Sequence, residues 1–127
     1  MILEKKHLNE WERAKGFLLA AKNNLKIGDI KTAANREYFS VERAIVCTLI
    51  LEKKKVPKDH KNIWEISKFL DLDIDVYKLM RELYDLRLQA DYGKISDLVE
   101  LTNETVLNYI EKIDLLIKKI KEKYNLK

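Results

Sequence analysis

The stretch TNETVLNYIEKIDLLIKKIKEKY, residues 102–124, carries the clearest periodic signal in the chain. Its apolar positions recur by threes and fours: Val106, Ile110, Ile113, Ile117, Ile120 and Tyr124. This spacing places an apolar stripe along one face of a helix. Thr102 belongs to the residue types that cap helix N-termini. We therefore predict a long amphipathic helix that begins after Thr102 and ends near Tyr124.

The same reading extends to the rest of the chain. It predicts further helices over residues 3–24, 30–54, 63–70 and 76–91, separated by Gly28, Pro57 and the aspartates of residues 71–75. Residues 44–51, AIVCTLIL, are apolar nearly all round, so the second helix should be the central and most buried one. The predicted fold is all-α: a single domain, residues 1–127, forming an antiparallel up-and-down bundle of four long helices plus one short helix.

Composition agrees with this class and excludes others. The chain of 127 residues has only three glycines and one proline, which favours helices over sheets. A net charge of +4 is too small for an obligate DNA binder. No apolar run approaches the ~20 residues that span a bilayer, so no membrane partner is predicted. The lone Cys47 predicts a reduced, cytoplasmic setting, and abundant lysine, glutamate and isoleucine are typical of thermophiles.

Several chemical signatures are missing. The sequence has no glycine-rich phosphate loop, no paired CxxC and no HExxH. Its two histidines, His7 and His60, sit on separate segments, so we predict no metal and no cofactor. Cys47 is a poor candidate nucleophile because its aliphatic neighbours should raise the pKa of its thiol.

Two helical segments stand out for their arginines and tyrosines: AANREYFSVER, residues 33–43, and LYDLRLQADYG, residues 83–93. Arg87 and Asp91 stand four residues apart and share a helix face, as do Arg36 and Arg43 at a spacing of seven. An arginine can bind a phosphate through two parallel hydrogen bonds. If the two segments pack together, they form one polar, phosphate-binding notch.

These residues resemble the HEPN domain (higher eukaryotes and prokaryotes nucleotide-binding), in particular small stand-alone prokaryotic members often encoded beside a minimal nucleotidyltransferase. The similar pieces are GDIKTAANREYFSVERAI at 28–45, DHKNIWEISKFL at 59–70 and LYDLRLQADYG at 83–93. The resemblance implies a helical bundle that forms a homodimer and binds RNA or nucleotide. It also implies a toxin-like, metal-independent RNase partnered by a nucleotidyltransferase antitoxin.

The chain departs from the family at the positions that matter for cleavage. RNase members carry an arginine followed, four to six residues later, by histidine. Arg87 matches the arginine, but Asp91 and Tyr92 stand where the histidine is expected. Histidine, with a pKa near ~6.5, accepts protons at neutral pH, whereas tyrosine, with a pKa near ~10, does so poorly. Phosphate binding is therefore better supported than catalysis.

The candidate residues follow from the resemblance. Arg87, Asp91 and Tyr92 are the candidate catalytic group. Arg36, Tyr38 and Arg43 are the candidate substrate-binding group. Tyr92 is also a candidate for adenylation by a partner nucleotidyltransferase, and His60 is interpreted as a loop or cap residue.

A different class of function fits the same sequence. The chain can be a non-catalytic helical interaction module or a dimeric scaffold, with its arginines in structural ion pairs. The phosphate-binding hypothesis expects Arg36, Arg87 and Tyr92 to converge in one groove. The scaffold hypothesis expects Arg87 to be fully paired with carboxylates.

Overall fold

The computed structural model describes residues 2–96 and 98–127, and side chains from residue 6 onward. Its helices are α1 (Ile2–Lys26), α2 (Ile30–Leu51), α3 (His60–Ser67), α4 (Val76–Tyr92) and α5 (Asn103–Tyr124). There is no strand in the described part of the chain. The prediction of an all-α fold with four long helices and one short helix is confirmed.

Local side chains define most helix ends. Asp29, Asp59, Asp75 and Thr102 each accept a hydrogen bond from the backbone amide three residues further on, which satisfies a donor that the first helical turn leaves free. Gly93 ends α4 in the left-handed conformation, with φ 65°, and its amide donates to the Gln89 carbonyl. The predicted cap at Thr102 is confirmed.

The boundaries around Pro57 differ from the prediction. α2 ends at Leu51 instead of residue 54, because Lys53 adopts a left-handed φ of 57°. The amides of Lys53 and Lys54 donate hydrogen bonds to the carbonyls of Ile50 and Leu49. These bonds end the helix several residues before Pro57. α3 begins at His60, three residues earlier than predicted, because Asp59 caps it.

α2 is the central helix, as predicted, and it packs against all four others. Every residue from Ala44 to Leu49 is buried. Cys47 lies in this core, and burial raises the pKa of its thiol to about 12. No helix in the described residues combines the length and the apolar character needed to cross a membrane.

The apolar stripe predicted for α5 is correct in part. On α5 the buried face is wider than the predicted stripe and includes Tyr109 and Leu116, because this helix packs against both α1 and α2. On α1 the buried positions are Trp11, Ala14, Leu18 and Ala21, whereas the N-terminal Leu8 is exposed.

Candidate functional site

Arg87 lies on α4 against a cluster of aromatic rings contributed by two helices. Its guanidinium carbon is 4.8 Å from the ring centroid of Phe39, 5.7 Å from that of Tyr38 and 5.8 Å from that of Tyr84. We call Tyr38, Phe39 and Tyr84 the three-ring cluster. The Arg87 side chain is only 15% exposed. Cation–π contact of this kind restrains the guanidinium and reduces its contact with water.

A chain of hydrogen bonds connects Arg87 to the second helix. Arg87 Nε donates to Asp91 Oδ2 at 3.2 Å, and the same oxygen accepts from Asn35 Nδ2 at 3.0 Å. Asn35 Oδ1 accepts from Arg36 Nη1 at 2.5 Å. Three residues predicted from sequence, Arg36, Arg87 and Asp91, are thus joined across the α2–α4 interface by Asn35.

The two Nη atoms of the Arg87 guanidinium are not used within the described part of the chain. Neither Nη1 nor Nη2 has a hydrogen-bond partner among the residues that the structure describes, because Asp91 engages Nε alone. These two nitrogens are the pair that a phosphate can bind in parallel. Surface grooves of about 260, 360 and 750 Å³ are lined by other residues, so Arg87 lies outside them.

Tyr38 lies beneath this surface and is fully buried. Its hydroxyl donates to Glu42 Oε2 at 2.5 Å and accepts from Trp64 Nε1 at 3.1 Å. Burial, together with the hydrogen bond to the Glu42 carboxylate, raises the pKa of the Tyr38 phenol far above its ordinary value. The phenol therefore stays protonated, and its ring supports Arg87 from below.

Arg43 and Tyr92 occupy contrasting environments. Arg43 is paired with two carboxylates, Glu10 at 2.9 Å and Glu42 at 2.8 Å, and is 19% exposed. Tyr92, the last residue of α4, is 71% exposed. Its hydroxyl has no hydrogen-bond partner in the described part of the chain, so a second molecule can reach it.

Glu42 is only 2% exposed and accepts hydrogen bonds from three side chains near the three-ring cluster. Besides Tyr38 and Arg43, it accepts from His60 Nδ1 at 2.5 Å. Burial alone would raise the pKa of the Glu42 carboxyl, but its hydrogen bonds outweigh burial and lower that pKa. Glu42 is therefore a buried, ionised carboxylate whose donors come from two helices: Tyr38 and Arg43 from α2, and His60 from α3.

Sequence reasoning did not select Asn35, Phe39 or Tyr84, although each carries a usable signal. Asn35, Phe39 and Glu42 recur by four and three on α2, and Tyr84 precedes Arg87 by three on α4. These spacings place each set on one helix face. What they could not indicate is that the two faces meet.

The sequence matches a family model described as the HEPN domain over residues 8–123. The match covers nearly the whole chain, so the chain belongs to the HEPN domain family. No curated protein matches it. In the described residues, no three His, Cys, Asp or Glu side chains gather so as to hold a metal ion.

Proposed function

We propose that this HEPN protein binds the phosphate group of RNA or of a nucleotide through Arg87. The observation that carries the proposal is the state of the guanidinium: Nε is bound to Asp91, the plane lies against the three-ring cluster, and both Nη atoms lack a partner in the described residues. An arginine held in this way is oriented before the ligand arrives, which reduces the entropy lost on binding.

The other predicted residues have supporting roles in this proposal. Asp91 orients Arg87 by accepting from Nε. Arg36 adds a second cation next to Asn35, and Tyr92 offers an exposed hydroxyl one residue beyond Asp91. Tyr38 and Arg43 do not contact the ligand in this proposal, because Tyr38 is buried and Arg43 is already paired with carboxylates.

We also propose the biological setting that the family suggests: a toxin-like, metal-independent RNase that forms a homodimer and is controlled by a nucleotidyltransferase antitoxin. The exposed Tyr92 supports this setting, because a free hydroxyl at the edge of the phosphate site is a suitable acceptor for adenylate. Co-expression with a nucleotidyltransferase should add the mass of one adenylate to the wild type. The Tyr92→Phe variant should not gain it, and an unmodified wild type would count against this part.

The scaffold alternative has an observation in its favour. Tyr92 at the end of α4 is exposed, as are Ile95 and Leu98 in the segment after the helix, with Ile95 at 93%. Exposed apolar residues in such a group are typical of an interface. Sedimentation of the wild type and of Ile95→Asp tests it: a dimer that dissociates in the variant supports a homodimer through this segment.

Binding of labelled tRNA and of ATP by Arg87→Ala tests the phosphate site. Losing a charge-assisted hydrogen-bonded pair removes about 1.5–3 kcal/mol, so affinity should fall by roughly tenfold to a hundredfold. Arg81→Ala is the matched control, since Arg81 is an exposed arginine on the same helix. Loss with tRNA alone indicates RNA, and loss with both ligands indicates nucleotide phosphate in general. Equal binding by wild type and both variants would contradict the proposal.

A further inference from the structure

We propose that His60, held by Glu42, is the proton acceptor for RNA cleavage at the Arg87 site. This inference rests on the proposed phosphate binding and goes beyond it, because it assigns the cleavage chemistry to a histidine on a different helix. It explains how the chain can cleave RNA without a histidine after Arg87. His60 is the first residue of α3, whereas Arg87 lies on α4.

The Glu42–His60 pair has the geometry of an oriented base. His60 Nδ1 lies 2.5 Å from Glu42 Oε2, and the carboxyl is ionised, so the proton between them resides on the ring nitrogen. A neutral imidazole that donates through Nδ1 keeps its lone pair on Nε2. Because Nδ1 is engaged inside the protein and 38% of the side chain is exposed, Nε2 is the nitrogen that a ligand can approach.

His60 and Arg87 contact the same three rings. The imidazole centroid is 5.6 Å from that of Tyr38, 6.4 Å from that of Phe39 and 5.7 Å from that of Tyr84. These are the rings of the three-ring cluster on which the Arg87 guanidinium rests. A base and a phosphate-binding cation thus border one aromatic cluster.

The buried Glu42 carboxylate does not need His60 in order to have a hydrogen bond on each oxygen. Tyr38 and Arg43 already supply Glu42 with a hydrogen bond on each oxygen. His60 is therefore a further donor on an oxygen that Tyr38 satisfies. What the Glu42 carboxylate adds is orientation and stabilisation of the imidazolium that forms when Nε2 takes a proton, the role a carboxylate has in hydrolytic triads.

The step we propose is an internal transesterification. His60 Nε2 accepts the proton of a ribose 2′-hydroxyl while the 2′-oxygen forms a bond to the adjacent phosphorus. The bond from phosphorus to the 5′-oxygen breaks, and that oxygen takes a proton from water. The hydroxide that remains takes the proton from the His60 imidazolium, which restores the base. Arg87 binds the non-bridging oxygens, whose negative charge grows in the transition state. The products are a 2′,3′-cyclic phosphate and a 5′-hydroxyl, with no metal or oxidant consumed.

Cleavage of a defined single-stranded RNA in EDTA tests the inference, with binding measured in parallel. His60→Ala should retain RNA binding within about threefold but lose about 10²–10⁴-fold in cleavage rate, the contribution typical of a general base. Added imidazole should restore part of that rate. His7→Ala is the matched control, because His7 is the only other histidine and lies on α1. Its rate should equal that of the wild type.

Glu42 is a positioning residue, and its test separates orientation from mere stability. Glu42→Gln should reduce cleavage in the otherwise native protein. In the His60→Ala background rescued by imidazole it should cause no further loss, because the free base no longer depends on Glu42. A purely structural role would reduce both rates alike.

The outcomes separate this inference from the function on which it rests. RNA binding that depends on Arg87 without cleavage by the wild type would overturn the role of His60 and leave phosphate binding intact. Cleavage that His60→Ala retains, or loses without rescue by imidazole, would also overturn it. Failure of the wild type to bind RNA would contradict both the role of His60 and the binding of RNA phosphate by Arg87.

Discussion

Glu37 and Glu42 lie five residues apart on α2, and both are buried, yet burial affects them differently. Glu42 has hydrogen-bond donors on both carboxylate oxygens, which together lower its pKa. Glu37 is fully buried and has no hydrogen-bond partner in the described residues, so burial raises its pKa to about 9. At neutral pH the first is therefore charged and the second is protonated, as expected for a buried carboxyl with no partner.

Glu37→Gln should change how stability depends on pH. The folded protein keeps the Glu37 proton up to about pH 9, whereas the unfolded chain loses it near pH 4.5. The free energy of unfolding of the wild type should therefore decrease as pH rises between these values. The amide does not titrate, so the variant should match the wild type near pH 5 and exceed it by roughly 2–4 kcal/mol at pH 8. Urea denaturation at both pH values measures this. An equal difference at both would contradict it.

Tyr38→Phe tests the buried hydroxyl at the centre of the network. Removing it leaves Trp64 Nε1 without its acceptor in a buried position. The variant should lose about 1–3 kcal/mol in the free energy of unfolding. Tyr84→Phe is the control, because the Tyr84 hydroxyl has no hydrogen-bond partner in the described residues and its loss should change stability by less than about 0.5 kcal/mol. Similar losses in both variants would mean that the hydrogen bonds are not responsible.

At the scale of helices, α1 and α4 show that one residue type can have opposite roles. Gly16 is an exposed glycine inside α1, whereas Gly93 ends α4 with a φ of 65°. A Cβ atom added at either position meets no atom within 4 Å. Any difference between the two alanine variants must therefore arise from backbone conformation.

Gly16→Ala should raise stability and Gly93→Ala should lower it. Alanine favours an exposed helix interior over glycine by roughly 0.5–1 kcal/mol. In the left-handed conformation at Gly93 the same methyl group is strained, by about 1–2 kcal/mol. Thermal denaturation should move the midpoint in opposite directions for the two variants. A shift in the same direction would show that α4 does not end as described.

The short helix α3 connects the core with the proposed site. Its cap, Asp59, fixes where the helix begins, and the first residue after the cap is His60. Trp64, one turn further, donates to Tyr38 and so attaches α3 to α2. The position of His60 beside Glu42 thus depends on a cap and on a tertiary hydrogen bond together.

At the scale of the whole molecule, the modest net charge of +4 implies that the proposed RNA binding depends on few ionic contacts. Each phosphate contact with a single strand contributes about −0.7 to the slope of log K against log salt concentration. Arg87→Ala should reduce the magnitude of that slope by about 0.7, and Arg81→Ala should leave it unchanged. Titrations of labelled RNA at several salt concentrations measure it. An unchanged slope in Arg87→Ala would mean that Arg87 does not contact phosphate.

The sequence by itself determined the helical class, because apolar spacing and caps act within one or two turns. Thr102 caps α5 as predicted, and the spacing of Arg87 and Asp91 made their pairing predictable. α2 ends earlier than predicted because the chain turns at Lys53. The prediction attributes the end of this helix to Pro57, whose effect on the backbone is easier to recognise.

Only the tertiary structure decided which of these residues meet. Nothing local connects Asn35 with Asp91 or Glu42 with His60, since each pair joins two helices across the bundle. The same packing buries Tyr38 and pairs Arg43 with two carboxylates, while it leaves the Arg87 Nη atoms without partners among the described residues. Hydrogen bonds between helices depend on which helix faces pack together. The spacing of residues along one helix shows which residues share a face, but it does not show which residues of another helix that face will contact.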